Sequence, residues 1–360
     1  MLSKVNIQAG IDKQTTTYGA EGRWIDSKNV RFRTGLPEKI GGWSKLIATR
    51  LVGVVRGMKA WYDDGGIRYL AIGTDRKLYV YSEGTAVDIT PIRKTSTLNG
   101  PFTSTGNTTI TVAHTSHGAT EGDFVTFSGA TSVGGQDVNN EYEVTSVLNA
   151  NSYTITHNTN VSSASGAGGS SVATNYQLNI GSATSSYSFG FGTGAWNAGT
   201  WNTPRTSSSI FLEASYWVFD NEGENLLAMR NNGAVYKWDT SGGTATRAQI
   251  VSGAPTSSRF IVVSNDQHLV CFGTEQTIGT PGTKENTSIR WSNQAVFTDW
   301  VAKPLSETTS GDAKIQDGSK IVAACRSRGS ILVWSDTSLN TLTSIGGKYI
   351  FRLQQVGSSC

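Results

Sequence analysis

The sequence predicts an all-β protein, a β-propeller body carrying a small inserted antiparallel β-domain. Composition is the first reason. The chain holds 41 glycines, 10 tryptophans, 12 tyrosines and 12 phenylalanines against 3 methionines, with Ser and Thr abundant. Glycine for turns and aromatic or β-branched residues for strands is the mixture that pleated sheets select. The second reason is that no long stretch places apolar residues at helical spacing. The third is a loosely repeated grammar of strands and tight turns, with a spacing near the blade repeat of propellers.

The first copy of that grammar runs from Arg56 to Tyr81: a strand, the turn Asp63-Asp64-Gly65-Gly66, a strand ending Ala71-Ile72-Gly73-Thr74, and the strand Lys77–Tyr81. A last strand near Ala86–Thr90 completes the unit. Further copies begin at Tyr216, with turns at Asn221-Glu222-Gly223 and Asn231-Asn232-Gly233, and at Phe260, followed by Ser288–Ser292. Another begins at Lys320, turns at Arg326-Ser327-Arg328-Gly329 and continues through Ser330–Trp334 to Leu339–Ile345. A β-sandwich would also show short strands and frequent turns. The recurring strand ending in Gly-Thr, then a turn, then an aromatic strand, favours the propeller. In this reading residues 43–94 and 211–360 form the blades, with the chain ending at Cys360 before the propeller closes.

Between the first and second copies the character changes. Thr108–Val112, Asp123–Phe127, Glu141–Val147 and Ser152–Thr156 alternate polar with apolar residues and are separated by Gly, Asn and Ser. Residues 95–172 are therefore expected to form an inserted β-domain, with Ser162–Thr174 a Gly/Ser-rich linker. A Gly/Trp-rich loop region, 173–210, follows. Residues 1–42 carry too few apolar groups in any window for a core and are expected to run as an extended arm. Four tryptophans are the candidate interface residues: Trp24 and Trp43 as anchors of the arm, and Trp196 and Trp201 in the Gly/Trp-rich loop.

Little in the sequence points to chemistry. The net charge of +3 gives no argument for a nucleic-acid-binding domain, and Lys28, Arg31, Arg33 and Lys39 read as a solvated strand face. Gly190-x-Gly192-x-Gly194 opens no helix that could hold a phosphate. His114 and His117 stand three apart, opposite faces of a strand, which suits shared metal ligation poorly. Asp63, Asp64, Asp220, Glu222 and Glu224 are read as hairpin-turn acids. The three cysteines form no disulfide or zinc spacing, and Cys271 and Cys325 read as buried small hydrophobes. No catalytic, cofactor-binding or metal residue is assigned, and the chain is expected not to be an enzyme. No run approaches the ~20 apolar residues of a membrane-spanning helix.

Several segments together resemble virion proteins of short-tailed bacteriophages, the tail nozzle or tail tubular protein B class. They are Gly10-Ile11-Asp12, Trp24–Arg33 leading to Gly41-Gly42-Trp43, Leu70–Thr74 with Leu78-Tyr79, Asp88–Pro91, Gly122–Phe127, Gly223–Leu227, Ile289–Ser292 and Asp299-Trp300. The resemblance implies a propeller body with inserted β-domains, in a homo-oligomeric ring of six below the head-to-tail adaptor. Such a ring encloses the channel through which double-stranded DNA is ejected and docks tail fibres. It also implies location in the virion tail after assembly in the host cytoplasm, and no cofactor. Members of the class are usually longer than this chain. The alternatives are a carbohydrate- or receptor-binding tail protein, because Trp and Tyr also stack on sugars, or a hydrolase on a propeller scaffold.

Overall fold

The computed structural model describes residues 7–42, 44–181, 213–303, 308–347 and 349–358. The protein is all-β, with several separate sheets and no α-helix among the described residues. It divides into two compact units, Met1–Thr49 and Arg50–Cys360.

In the first unit β1 (Gln8–Ile11) pairs in parallel with β2 (Arg23–Trp24), and β3 (Val30–Arg33) forms a hairpin with β4 (Leu36–Lys39). Most of its described residues are exposed, as expected for a segment too poor in apolar residues to bury a core. Trp24 is half-buried, its ring 6.3 Å from that of Phe32. Trp43, Trp196 and Trp201 lie outside the described residues, as does Gly190-x-Gly192-x-Gly194.

The second unit contains four four-stranded antiparallel meanders. The first sheet is β5 (Val55–Tyr62), β6 (Arg68–Thr74), β7 (Leu78–Ser82) and β8 (Thr85–Asp88). The chain then enters the inserted β-domain: β9 (Ile92–Leu98), β10 (Phe102–Ser104), β11 (Thr109–Ala113), β12 (Phe124–Ser128), β13 (Glu141–Asn149), β14 (Ser152–Thr156), β15 (Ala164–Ala167) and β16 (Val172–Gln177). The second sheet is β17 (Trp217–Glu222), β18 (Asn225–Arg230), β19 (Val235–Trp238) and β20 (Gln249–Ile250). The third is β21 (Phe260–Val263), β22 (Leu269–Phe272), β23 (Ser288–Trp291) and β24 (Gly311–Lys314). The fourth is β25 (Ile321–Ser327), β26 (Ser330–Ser335), β27 (Ser338–Ser344) and β28 (Phe351–Ser358).

Consecutive sheets stack face to face through their first strands, β5 on β17, β17 on β21 and β21 on β25. Each step buries its own apolar layer. Ala71, Val80, Trp217 and Leu226 fill the first, Leu227, Val235, Ile261 and Leu269 the second, and Val270, Ile289, Ile331 and Val333 the third. Alternation along each strand supplies one face to the preceding sheet and one to the next. Among the described residues no comparable contact returns from β25 to β5, so the propeller expected from the sequence is not established.

Strand approach is closest between the first two sheets. A Cβ on Gly73 would lie 2.2 Å from Cδ1 of Trp217, and one on Gly57 2.7 Å from the Trp217 carbonyl oxygen. The Trp217 indole packs against Gly73 and donates from Nε1 to the Thr74 carbonyl at 2.8 Å.

The inserted domain is an eight-stranded sheet in the order β15-β10-β11-β14-β13-β12-β16-β9, around a core including Phe102, Ile110, Val125, Phe127, Tyr153 and Ile155. Its first and last strands, β9 and β16, pair with each other and carry the chain out and back. The stretch Ser162–Thr174, linker-like in composition, supplies β15 and part of β16, and Val172 is fully buried. Small residues there allow close strand pairing rather than a free tether.

Cys271 and Cys325 part company. Cys271 is fully buried between the second and third sheets, and burial pushes its thiol up to about 12. Cys325 is exposed, a correction to its expected burial. It alternates with Ala324 and so lies on the face of the fourth sheet turned away from the third.

Gly73→Ala should lower unfolding stability by about 1–3 kcal/mol through overpacking on Trp217, read from urea denaturation. An unchanged midpoint would show that the sheets do not meet as described. In a Cys360→Ser chain at pH 8, an aromatic disulfide reagent should label Cys325 promptly and Cys271 only after denaturant is added. Prompt labelling of both would contradict the packing of the second and third sheets.

Candidate functional site: a cleft between the second and third sheets

A cleft of about 690 Å³ opens where the outer strands of the second sheet face the loop after β23. Its floor is apolar, formed by Val251 and Phe297 with Ile250 and Val296 at the rim, the last two exposed. Its walls carry Glu222, Lys237, Asp239, Arg247 and Gln249. The chain builds it by stopping β20 after two residues, which leaves the edge of the second sheet open beside the third.

Each charged wall group is held in place. Lys237 on β19 pairs across the sheet with Glu222 at the end of β17, at 2.5 Å, while Glu222 Oε2 makes no aligned hydrogen bond. Asp239 caps the 3-10 turn Thr240–Gly242, accepting from the Ser241 hydroxyl at 2.6 Å and the Ser241 amide at 2.9 Å. Those two hydrogen bonds hold its carboxyl below the usual range, so it stands ionised at neutral pH. Phe297 is fixed from behind, its carbonyl accepting from Trp300 Nε1 at 2.7 Å. The side chains on the walls balance, Glu222 and Asp239 against Lys237 and Arg247.

Arg247 ties the cleft to the inserted domain. It donates to the Thr90 carbonyl at 2.8 Å and pairs with Asp88 at 3.3 Å. Asp88 in turn accepts from Lys77 Nζ at 3.0 Å and from Gln177 Nε2 at 3.1 Å. Lys77 and Gln177 also bond Glu141 of the inserted domain. Beside them Arg76 donates to the Gly122 carbonyl at 2.8 Å and pairs with Glu143 at 2.5 Å. The Arg76 and Lys77 cations lie over the Phe124 ring, at 5.3 and 4.4 Å from its centre. The Lys77 side chain is only 5% exposed, so this clamp compensates a nearly buried charge.

Burial alone would raise the Asp88 carboxyl, but the Lys77 and Arg247 charges and two bonds from Thr90 outweigh it and hold the group below its ordinary value of 3.8. A carboxylate depressed on folding stabilises the fold above its unfolded value, and that contribution is lost as pH falls through the folded one.

The other residues singled out in the sequence are dispersed. Asp220, expected among the turn acids, is instead a buried strand residue of β17, bonded to Lys59 Nζ at 2.8 Å and to the Val263 amide at 2.6 Å. His114 and His117 go to separate structural partners: His114 Nδ1 meets the Tyr176 hydroxyl at 2.7 Å, and His117 accepts the Ala119 amide at Nδ1 and donates from Nε2 to the Asn149 carbonyl. Burial lowers His114 to about 4. Sequence reasoning missed Lys237, Asp239, Arg247 and Phe297. No motif marks them, because their proximity depends on how two sheets meet.

No family model and no curated protein matches the chain. Among the solved structures that match is a phage phi92 endosialidase, at 12% identity and a TM-score of 0.28, covering 84% of this chain. The chain spans about half, 48%, of that structure's length. At that score the likeness carries neither fold nor activity across. It does correct the expectation that the chain is not an enzyme: a matching structure bears an enzyme's name, and that exclusion is dropped.

Asp88→Asn should cost about 2–4 kcal/mol at pH 7, by leaving Lys77 and Arg247 short of their shared anion. It should also flatten the fall in melting temperature below about pH 4. An acid-melting curve identical to that of the unaltered chain would remove Asp88 from the clamp.

Proposed function

We propose that the chain is a phage-tail protein that recognises a saccharide of the host surface in the cleft between its second and third sheets. The observation that carries the reading is the cleft's lining, an apolar floor beneath a polar rim whose formal charges cancel. A saccharide ring offers a C–H face for such a floor and hydroxyl groups for Lys237, Glu222, Asp239 and Gln249. The balanced rim favours an uncharged sugar over a polyanion, which would need an excess of Lys and Arg. The placement in a phage tail, and in the virion, rests on the motif resemblance described above. Glu222 and Asp239 are also the residue type that glycoside hydrolysis employs, so turnover belongs among the measurements.

A second reading is a nozzle-ring subunit, built from propeller-like blades, that docks the adaptor and tail fibres and admits DNA. The feature favouring it is the succession of four four-stranded antiparallel meanders that meet through their first strands.

Titration calorimetry with neutral host-surface oligosaccharides should show binding by the unaltered chain. Ile250→Arg, which places a long cation in the cleft from an exposed position, should weaken that binding at least ~10-fold without moving the melting temperature. Binding unaffected by Ile250→Arg, or no binding to any such saccharide, would overturn the assignment of the cleft.

A further inference from the structure

The cleft between the second and third sheets has a counterpart one step earlier in the stack. Both open between the outer strands of one sheet and the loop that follows the third strand of the next. At the first step the cavity measures about 300 Å³, the small end of the range for ligand pockets. Tyr69 on β6, Val87 on β8 and Trp238 at the end of β19 line it, with Glu83 and Thr85 exposed at its rim. One loop of the second sheet serves both cavities, turning Ser241 and Gly242 to the cleft and Gly243 and Thr244 to the smaller space.

The two linings differ in chemistry. The cleft balances two acids against two bases, whereas Glu83 is the one charged residue lining the smaller cavity. The half-buried Tyr69 ring stacks on Trp61 at 5.2 Å and meets Trp238 edge-on at 5.7 Å. Burial, and after it the carboxylates of Asp63, Glu83 and Glu224, hold the Tyr69 phenol above its ordinary value. Two of these acids are engaged: Asp63 accepts from the Ile67 amide at 2.8 Å and the Tyr69 hydroxyl at 3.2 Å, and Glu224 from the Asp64 amide at 3.3 Å. Glu83 has no hydrogen bond or ion pair among the described residues. Its backbone is left-handed, with φ at 48° ahead of Gly84 at 88°. A tight turn of two left-handed residues suits Asn or Gly in the first place. A glutamate held there is local strain of the kind that gathers at functional sites.

We propose that this cavity binds a small quaternary ammonium ion of the choline type. A methylated ammonium gives up water for aromatic and aliphatic walls more readily than a bare ammonium, which is strongly hydrated. Tyr69, Val87 and Trp238 supply such walls, and Glu83 supplies the unpaired counter-charge. Asp63 and Glu224 add to the negative field without being consumed by the ligand. A neutral sugar would leave Glu83 without a partner, and an anion would be repelled. The site stands apart from the cleft and holds whether or not the cleft binds a saccharide.

Titration calorimetry on the full chain tests it, with choline chloride, its uncharged isostere 3,3-dimethyl-1-butanol, and methylammonium as probes. Choline should bind, and the other two should each bind at least ~10-fold more weakly. Glu83→Gln, which removes the charge and keeps the shape, should weaken choline binding at least ~5-fold. Thr85→Arg, which sets a cation at the rim, should abolish it. Both positions are exposed, so circular dichroism and melting temperature should not change. Ile250→Arg, in the other cleft, should leave choline binding as it is. No binding at ~10 mM choline, equal binding of the isostere or of methylammonium, binding unmoved by Glu83→Gln, or binding lost on Ile250→Arg would each overturn the proposal.

Discussion

Asp220 is the interaction on which the stacked body depends. It lies on the first strand of the second sheet, and its carboxylate accepts from Lys59 of the first sheet and from the Val263 amide of the third. One buried anion thus spans two sheet-to-sheet steps. Each oxygen satisfies a donor on a different neighbour, so removing it would leave a cation and an amide without their acceptor. The apolar layers on either side supply most of the burial, but they are non-directional. The charged bond sets where along their length the first strands meet.

The inserted domain is attached by the same kind of device at another place. A domain entered and left through neighbouring strands could swing about them. Here Arg76 and Lys77 bind Glu143 and Glu141 across the junction, Gln177 reaches back to Asp88, which Lys77 and Arg247 also hold, and Phe124 offers its ring face to two of the cations. Such a network is directional and partly screened from water, which makes it a stop rather than a tether. Arg247 belongs both to this network, through Asp88, and to the cleft wall.

The cleft has a simple origin. Sheets that stack in register leave unfilled space where a strand is short. The two-residue β20 produces it. It is no flaw in the packing of the sheets themselves, whose facing sides are filled with Val, Ile, Leu and Trp.

What the sequence determined by itself was local. Alternation, Gly and Asn turns and β-branched runs marked β5–β7, β17–β19, β21–β23, β25–β27 and the central strands of the inserted domain, because strand direction and turn type are written within a few residues. The fourth strands β24 and β28, and β15 and β16 within a Ser/Gly-rich run, were not legible. They carry weak patterns of their own and exist because an edge is there to pair with. The tertiary structure alone decided that Asp220 is a buried bridge rather than a turn acid, that Cys325 faces outward, and that Glu222, Lys237, Asp239, Arg247 and Phe297 border one cleft. These residues are separated in the chain and brought together by the stacking of whole sheets, and the sign and spacing of that stacking appear in no single segment.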